Sequence, residues 1–152
     1  MNLYKINNYD KSFVQKNMMG PNSMMLLEEL TEKLSLKPGM RVLDLGCGKG
    51  LTSIFLAKEF GLQVFALDLW ISATENYKNF IETGLESSII PIHADALDMP
   101  FANEYYRRHR NFEIIAYSAV ICRYFSEILV KQGKMLFFCD SWNIAVNCHV
   151  KI

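Results

Sequence analysis

Three glycines at alternate positions mark the most informative stretch of the chain, Arg41-Val-Leu-Asp-Leu-Gly-Cys-Gly-Lys-Gly50. The apolar residues before the glycines predict a buried parallel strand. The glycines allow a sharp turn and let a ligand approach the main chain closely. A predicted helix begins at Leu51, and its free N–H groups would face the turn. The stretch therefore predicts a cradle of the kind that binds nucleotides, with a purely structural strand-to-helix turn as the alternative.

Acidic residues stand at the ends of three predicted strands. Asp44 interrupts the first strand, Asp68 follows the apolar run 63–67, and Asp95 follows the run 89–93. The carboxyl ends of parallel strands meet at the ligand-binding edge of an open sheet, where a carboxylate can accept two hydrogen bonds from a ribose diol. The three carboxylates therefore indicate a nucleoside-type ligand, and Asp68 is the candidate for the ribose.

The glycine spacing separates the classes of nucleotide site. A dinucleotide site needs the pattern G-x-G-x-x-G, and Leu51 stands where its third glycine should be. A phosphate-binding Walker loop needs a lysine after its last glycine, and here Gly50 is followed by Leu51. An NAD-dependent oxidoreductase is therefore the weakest of the alternatives.

The pattern Asp44-x-Gly46-x-Gly48-x-Gly50 resembles the first motif of the class I, Rossmann-like S-adenosylmethionine-dependent methyltransferases. The resemblance covers residues 41–104 and weakens after residue 105. It implies an α/β fold with an open, mostly parallel sheet and helices on both faces. It also implies S-adenosylmethionine as cofactor, S-adenosylhomocysteine as product, and a glycine turn that passes the methionine part of the cofactor. The residues that it assigns to cofactor binding are Asp44, Gly46, Cys47, Gly48, Gly50, Asp68, Leu69, Trp70, Asp95 and Ala96.

Several side chains near this edge have more than one interpretation. Leu69 and Trp70 are candidates for lining the adenine, whereas packing under a loop is the plain alternative for Trp70. Cys47 is interpreted as a small packing residue of the turn, and His93 as a structural residue that ends a strand. No catalytic residue is assigned, because methyl transfer from a sulfonium is an in-line displacement that can rest on positioning.

Capping and turn residues predict the helices that would position these strand ends. Ser23 is the predicted cap of a helix that runs to Leu36, and a second helix is predicted over Leu51–Phe60. The capping box Ser72–Glu75 opens a third helix, and Pro91 suggests a strand position away from a full ladder. The later predicted elements are a strand over Phe112–Tyr117, a helix over Val120–Val130 and a strand over Lys134–Cys139.

The length of 152 residues predicts one domain with three parts. Residues 1–22 form an N-terminal arm, residues 23–104 the cofactor-binding half, and residues 105–152 a divergent and incomplete second half. The arm is either loosely docked or a lid over the cofactor. As a lid, it would use as apolar cover the side chains Tyr4, Tyr9, Phe13, and Met18 or Met19.

The basic run Tyr105–Asn111 breaks the family pattern where a fourth strand should open. It is interpreted as an exposed loop. A frame slip near Tyr106 is the rival hypothesis, because codons for 107–110 exist that, read one base later, begin Asp-Ala-Ile. Residues 141–152 are too few for the two further strands of the complete family fold. Either the fold is trimmed at its C-terminus, or a partner or another copy of the chain covers an exposed sheet edge.

Composition limits the class of protein and its partners. Sixteen basic and sixteen acidic residues cancel, so no global field favours nucleic acid. No apolar run approaches the roughly 20 residues of a membrane span, and the N-terminus lacks the apolar core of a signal peptide. Four cysteines show no zinc spacing, so we expect no metal and a cytoplasmic location.

These observations predict a methyltransferase that acts on a small-molecule acceptor. The alternative is an S-adenosylmethionine-binding protein without transferase activity, because the substrate half is truncated or frame-shifted.

Overall fold

A mostly parallel sheet organises the part of the chain that the structure describes, in the order β3-β2-β1-β4-β5-β6. The computed structural model describes residues 5–20, 22–32, 34–101, 112–117, 135–139 and 144–148, the last three ranges as backbone strands. The strands are β1 Arg41–Leu45, β2 Gln63–Asp68, β3 Ile89–His93, β4 Phe112–Tyr117, β5 Met135–Cys139 and β6 Ile144–Cys148. The α/β class with an open, mostly parallel sheet is thus confirmed.

Four α-helices and a short 3-10 helix (Lys5–Asn8) lie in the same part of the chain. The α-helices are α1 Lys11–Asn17, α2 Ser23–Thr31, α3 Leu51–Phe60 and α4 Ala73–Glu82. None of the helices in the described ranges is long and apolar enough to cross a bilayer. The helix predicted over Val120–Val130, the basic run Tyr105–Asn111 and Tyr4 lie outside the described residues.

Strand β1 is central because it pairs in parallel with β2 on one side and with β4 on the other. Its residues 42–45 are all fully buried, as the apolar run predicts. Strands β4 and β5 continue the parallel order. The carboxyl ends of β1 and β2 therefore lie side by side, which brings the glycine turn next to Asp68.

Helices α2 and α3 cover β1 and β2 with a continuous core. Met24 and Leu27 of α2 pack with Ile54 and Phe55 of α3, all of them buried. The N-terminal arm joins this core through Tyr9, whose hydroxyl donates a 2.9 Å hydrogen bond to Glu59 Oε1 and whose ring lies 6.1 Å from that of Phe55.

The same arm is also held at its beginning. The Glu28 carboxylate of α2 accepts hydrogen bonds from the N–H groups of Lys5, at 2.7 Å, and Ile6, at 3.4 Å. These contacts hold the start of the arm against α2. The end of the arm lies beside the glycine turn, since Asn17 and Met19 line the same cleft as Gly48.

Both predicted boundaries of α2 were wrong. Asn22, not Ser23, caps α2, because its side-chain oxygen accepts the N–H of Met25 at 3.2 Å. Helix α2 ends at Thr31 rather than at Leu36; the Thr31 hydroxyl bonds back to the Glu28 carbonyl at 2.7 Å, a contact that competes with a continued helix. At the other end of the chain, residues 144–148 form one further strand, which runs antiparallel to β5.

Candidate cofactor-binding site

The glycine turn, Gly46–Gly50, connects β1 to α3 in a backbone conformation that few other residues adopt. Gly46, Gly48 and Gly50 have φ angles of 78°, 55° and 81°, all in the left-handed region. The N–H groups of Gly46 and Cys47 donate to the carbonyl of Leu67, at 2.8 and 3.1 Å. The turn is therefore fixed to the end of β2, where the ribose-binding residue was predicted.

Asp44 lies beneath the glycine turn and is fully buried. Its Oδ2 accepts hydrogen bonds of 2.6 Å from the hydroxyls of Thr52 and Ser53 in the first turn of α3. Burial raises the pKa of the Asp44 carboxyl to about 6, although the two hydroxyl donors oppose that shift. Asp44 thus ties β1 to the start of α3 from below, and a direct contact between Asp44 and the cofactor stays a prediction.

Asp68 ends β2 and joins two turns through its carboxylate. Oδ2 accepts the N–H of Gly48 at 2.8 Å, and Oδ1 accepts those of Trp70 and Ile71 at 2.7 and 3.0 Å. A carboxylate offers about four acceptor positions, so three are already used by the main chain. The ribose assignment of Asp68 remains a prediction, with room for one further hydrogen bond unless an existing one opens.

The Trp70 turn, Leu69–Ile71, follows Asp68 and presents apolar surface to solvent. The Trp70 side chain is 84% exposed and that of Leu69 46%. The interpretation of Trp70 as packed under a loop is therefore wrong. His93 Nε2 lies 2.8 Å from the Leu69 carbonyl oxygen, a contact that fits the structural role predicted for His93.

The other predicted site residues are Cys47, Asp95 and Ala96. Cys47 is a buried free thiol, and burial raises the pKa of that thiol well above its ordinary value, so it stays protonated. This agrees with a packing role. Asp95 is exposed and its Oδ1 accepts the N–H of Leu97 at 2.9 Å, which places Asp95 and Ala96 in a loop after β3. No group of three possible metal ligands occurs among the residues described.

Sequence reasoning missed two residues of α4 that hold the glycine turn. Asn76 Nδ2 donates to the carbonyl of Gly48 at 2.9 Å, and Asn79 Nδ2 donates to that of Lys49 at 3.1 Å. Both side chains are buried. The only signal in the sequence was two asparagines three positions apart beside Phe80, on the face of α4 that turns out to be buried.

A small cleft of about 40 Å³ lies between the glycine turn and the N-terminal arm. A Cβ built on Gly48 would stand 3.2 Å from Met19 Sδ, so the arm reaches directly over the turn. The residues that line the cleft are Asn17, Met19, Ser23, Gly46, Cys47, Gly48, Lys49, Leu51 and Thr52.

A Rossmann-like sheet with a glycine turn after its first strand and an acidic residue after its second defines a class I methyltransferase domain. The chain belongs to the methyltransferase domain family, which it matches over residues 42–129. That match continues past residue 105, where the motif resemblance weakens. The family accounts for the cofactor class, S-adenosylmethionine.

Curated relatives match shorter stretches. The chain is 44% identical over 62 residues to phosphoethanolamine N-methyltransferase 1 of Zea mays, covering 41% of this chain and 11% of that protein. It is 31% identical over 84 residues to methyltransferase GfsG of Streptomyces halstedii, covering 55% and 30%. The chain thus spans less than a third of the length of either relative.

Solved structures share the fold at low sequence identity. A putative sarcosine dimethylglycine methyltransferase from Galdieria sulphuraria aligns with a TM-score of 0.62 at 20% identity, over 85% of this chain and 50% of that one. A methyltransferase from Thiobacillus denitrificans, solved with S-adenosyl-L-homocysteine, aligns with a TM-score of 0.58 at 20% identity, over 90% and 56%.

Proposed function

We propose that this chain binds S-adenosylmethionine along the glycine turn and the end of β2, with the methionine part of the cofactor at the cleft, and transfers its methyl group to a small-molecule acceptor. The observation that carries the proposal is the turn itself. Gly46 and Gly48 bring bare main chain to the cleft wall, and Met19 stands on the other side of it. Such a wall suits a ligand that needs close contact with the backbone.

The residues present fit the cofactor in the arrangement that the family implies. The glycine turn would hold the methionine part, and Asp68 would accept a ribose hydroxyl. Leu69 and Trp70 would cover one face of the adenine, for which their exposed apolar surface is available. Asp95 and Ala96 would lie at the adenine amino group.

The role of the protein in such a reaction is to position the two partners. S-adenosylmethionine supplies an activated methyl group on a sulfonium, and the acceptor must approach it in line. Holding two reactants in a productive geometry can supply about 7–11 kcal/mol of the barrier. We therefore assign the described site residues to binding and orientation and none to proton transfer.

The proposed acceptor class rests on the names of relatives and on charge. Relatives are named a phosphoethanolamine N-methyltransferase and an O-methyltransferase, resE, of Aspergillus sclerotiorum, and a fold neighbour is a geranyl diphosphate C-methyltransferase. A chain with sixteen basic and sixteen acidic residues has no excess charge to attract a polyanion. A small-molecule acceptor fits both observations better than nucleic acid does.

Four finer proposals accompany this one and await their own tests. They are the division at residues 22 and 104, a cytoplasmic location, a homo-oligomer that covers a sheet edge, and the assignment of individual cofactor contacts. The rival function, cofactor binding without transfer, is not favoured, since the matched family and the relatives named above are methyltransferases.

Calorimetry with S-adenosylmethionine, S-adenosylhomocysteine and NAD tests the cofactor. We expect binding of the first two and none of NAD. Turnover to S-adenosylhomocysteine on a panel of amine, hydroxyl and carbon acceptors, phosphoethanolamine included, then tests transfer. Binding without turnover on any acceptor would support the rival function, and failure to bind either sulfur ligand would overturn both.

A further inference from the structure

Two buried side-chain amides of α4 donate hydrogen bonds to consecutive carbonyl groups of the glycine turn. Asn76 is 1% exposed and Asn79 8% exposed. Three positions apart on a helix, they share one face. Asn76 Nδ2 reaches the carbonyl of Gly48, and Asn79 Nδ2 reaches that of Lys49. We call this pair the asparagine clamp.

The hydrogen bond from Asn76 also fixes the direction of the N–H group in the peptide that it holds. A trans peptide is planar, with its C=O and its N–H on opposite sides. Because the Gly48 carbonyl is directed at α4, the N–H of Lys49, in the same peptide plane, is directed away from α4. Lys49 and Gly48 both line the cleft. The Asn76 contact thus leaves the Lys49 N–H on the side of the turn opposite α4.

The peptide on the other side of Gly48 is fixed as well. Its N–H donates to Asp68 Oδ2 at 2.8 Å. Gly48 is therefore held at its N–H by β2 and at its C=O by α4. Because glycine has no side chain, Gly48 would otherwise rotate more freely than other residues, and its φ is +55°. The side chains of Asp68 and Asn76 therefore fix the orientation of the two peptides that flank Gly48.

Packing alone does not account for asparagine at these positions. A buried amide loses its hydration and contributes less apolar contact than a leucine of similar size. Asn76 also leaves its Oδ1 without a donor among the described residues, which is a further penalty. The neighbouring Phe80 supplies the apolar packing, against Gly50. The two amides thus occupy positions where an apolar residue would pack better.

We propose that Asn76 and Asn79 are positioning residues of the cofactor site. Asn76 orients the Lys49 N–H towards a carboxylate at the amino-acid end of the ligand. Asn79 holds the next peptide of the turn, whose Gly50 N–H donates to the Cys47 carbonyl at 2.9 Å, and so keeps Lys49 in place. The positive end of α3 adds to the attraction for that carboxylate. This inference rests on the proposed function and assigns the pair a role that neither asparagine would have as a plain core residue.

Two ligands that differ only in the amino-acid end test the clamp by calorimetry. S-adenosylhomocysteine carries that end, and 5′-methylthioadenosine lacks it. For Asn76→Ala and Asn79→Ala we expect about tenfold weaker binding of S-adenosylhomocysteine. Binding of 5′-methylthioadenosine should change less than about twofold. Lys78→Ala, on the exposed side of the same helix, is the control and should change neither value.

Isosteric variants separate the hydrogen bond from the volume of the side chain. Asn76→Leu and Asn79→Leu keep about the size of the side chain and add no charge but lose the amide donor, so each should bind like the corresponding alanine variant. Each variant is first checked for a cooperative melt. Asn79 is less buried than Asn76. If the Asn76 variants fail to fold, the same two ligands are measured on the Asn79 variants.

The outcomes distinguish the clamp from the function on which it rests. A parent protein that binds neither ligand contradicts the proposed function. A parent that binds both, with variants that lose both ligands equally or lose neither, overturns the clamp alone. Selective loss of S-adenosylhomocysteine supports it.

Discussion

The glycine turn and the Trp70 turn follow neighbouring strands, yet they are built in opposite ways. The first is held by side chains from β2 and α4 and encloses a fully buried carboxyl below it. The second is held at its base by Asp68 and leaves Trp70 84% exposed. Side chains of the protein thus fix the backbone of the glycine turn, whereas the Trp70 turn keeps exposed apolar surface, which the proposed cofactor would cover.

The largest expected effect is on the folding of the glycine turn. A Cβ at Gly50 would lie 2.5 Å from Phe80 Cε1, and Phe80 is fully buried. Gly50→Ala should lower the free energy of unfolding by about 4 kcal/mol, through strain and overpacking together. Gly39→Ala is the matched control, because Gly39 has a similar φ of +79° with no atom within 4 Å. It should cost about 1 kcal/mol, and equal losses in urea unfolding would exclude the Phe80 contact as the cause.

Gly48 should matter for binding more than for folding. Gly48→Val places a branched side chain in the cleft at φ +55°, next to the thioether of Met19. We expect a protein that melts cooperatively, with about 1–3 kcal/mol less stability, and that binds S-adenosylmethionine more than about 100-fold more weakly. Cys47→Ala should bind nearly as the parent does. Retained affinity in folded Gly48→Val would place the cofactor elsewhere.

The buried carboxyl below the turn should make stability depend on pH. Since the pKa of Asp44 rises from 3.8 to about 6 on folding, the folded state binds more protons in this range, and stability falls as pH rises through it. The parent should lose about 2.4 kcal/mol from this group between pH 4 and pH 7. Asp44→Asn should lack that loss, and parallel urea-unfolding profiles for the two proteins would contradict the assignment.

Asp68 connects the two turns, so its removal should affect both. Asp68→Ala removes the acceptor of three main-chain N–H groups and the proposed ribose contact. Binding of S-adenosylmethionine should weaken by about 1.5–3 kcal/mol. Asp98→Ala, at an exposed position after β3, should leave affinity unchanged. Equal affinities of the two variants in calorimetry would remove Asp68 from the site.

The smallest effect is expected at the Trp70 turn. Trp70→Ala should leave the melting temperature unchanged, because the side chain contributes little to the core. It should weaken binding by about 1 kcal/mol if the indole covers the adenine. Tyr77→Ala, an exposed aromatic on α4, serves as the control. A fall in stability of Trp70→Ala, or unchanged affinity, would contradict the contrast between the two turns.

Local signals in the sequence predicted most of the elements. The glycine triplet, the apolar runs of β1 and β2 and the Ser72 cap of α4 are each specified within a few residues. The end of α2 was not, because the back-bonding of Thr31 competes with a helix that apolar spacing alone would continue.

The contacts within the site depend on residues that are distant in the sequence. Asn76 and Asn79 look like ordinary polar helix residues, and their partners lie 28 and 30 positions away. Asp68 was predicted as a ribose ligand, and its three main-chain donors became visible only when the turns after β1 and β2 were seen together.

The proline in β3 has a consequence for how copies of this protein can meet. The N–H of Val64 donates to the carbonyl of Ser88, and the N–H of Ala94 donates to the carbonyl of Asp68. Backbone N–H groups alternate in direction along a strand, so those of residues 90 and 92 point towards β2. The backbone nitrogen of Pro91 therefore points away from the sheet.

Pro91 has no N–H, and that of Ile89 already donates to Leu85. Along this margin only His93 could offer a donor to an incoming strand. A sheet margin without a row of donors is a poor template for strand addition. Strand pairing between copies of this protein is therefore disfavoured at β3, at one lateral edge of the described sheet.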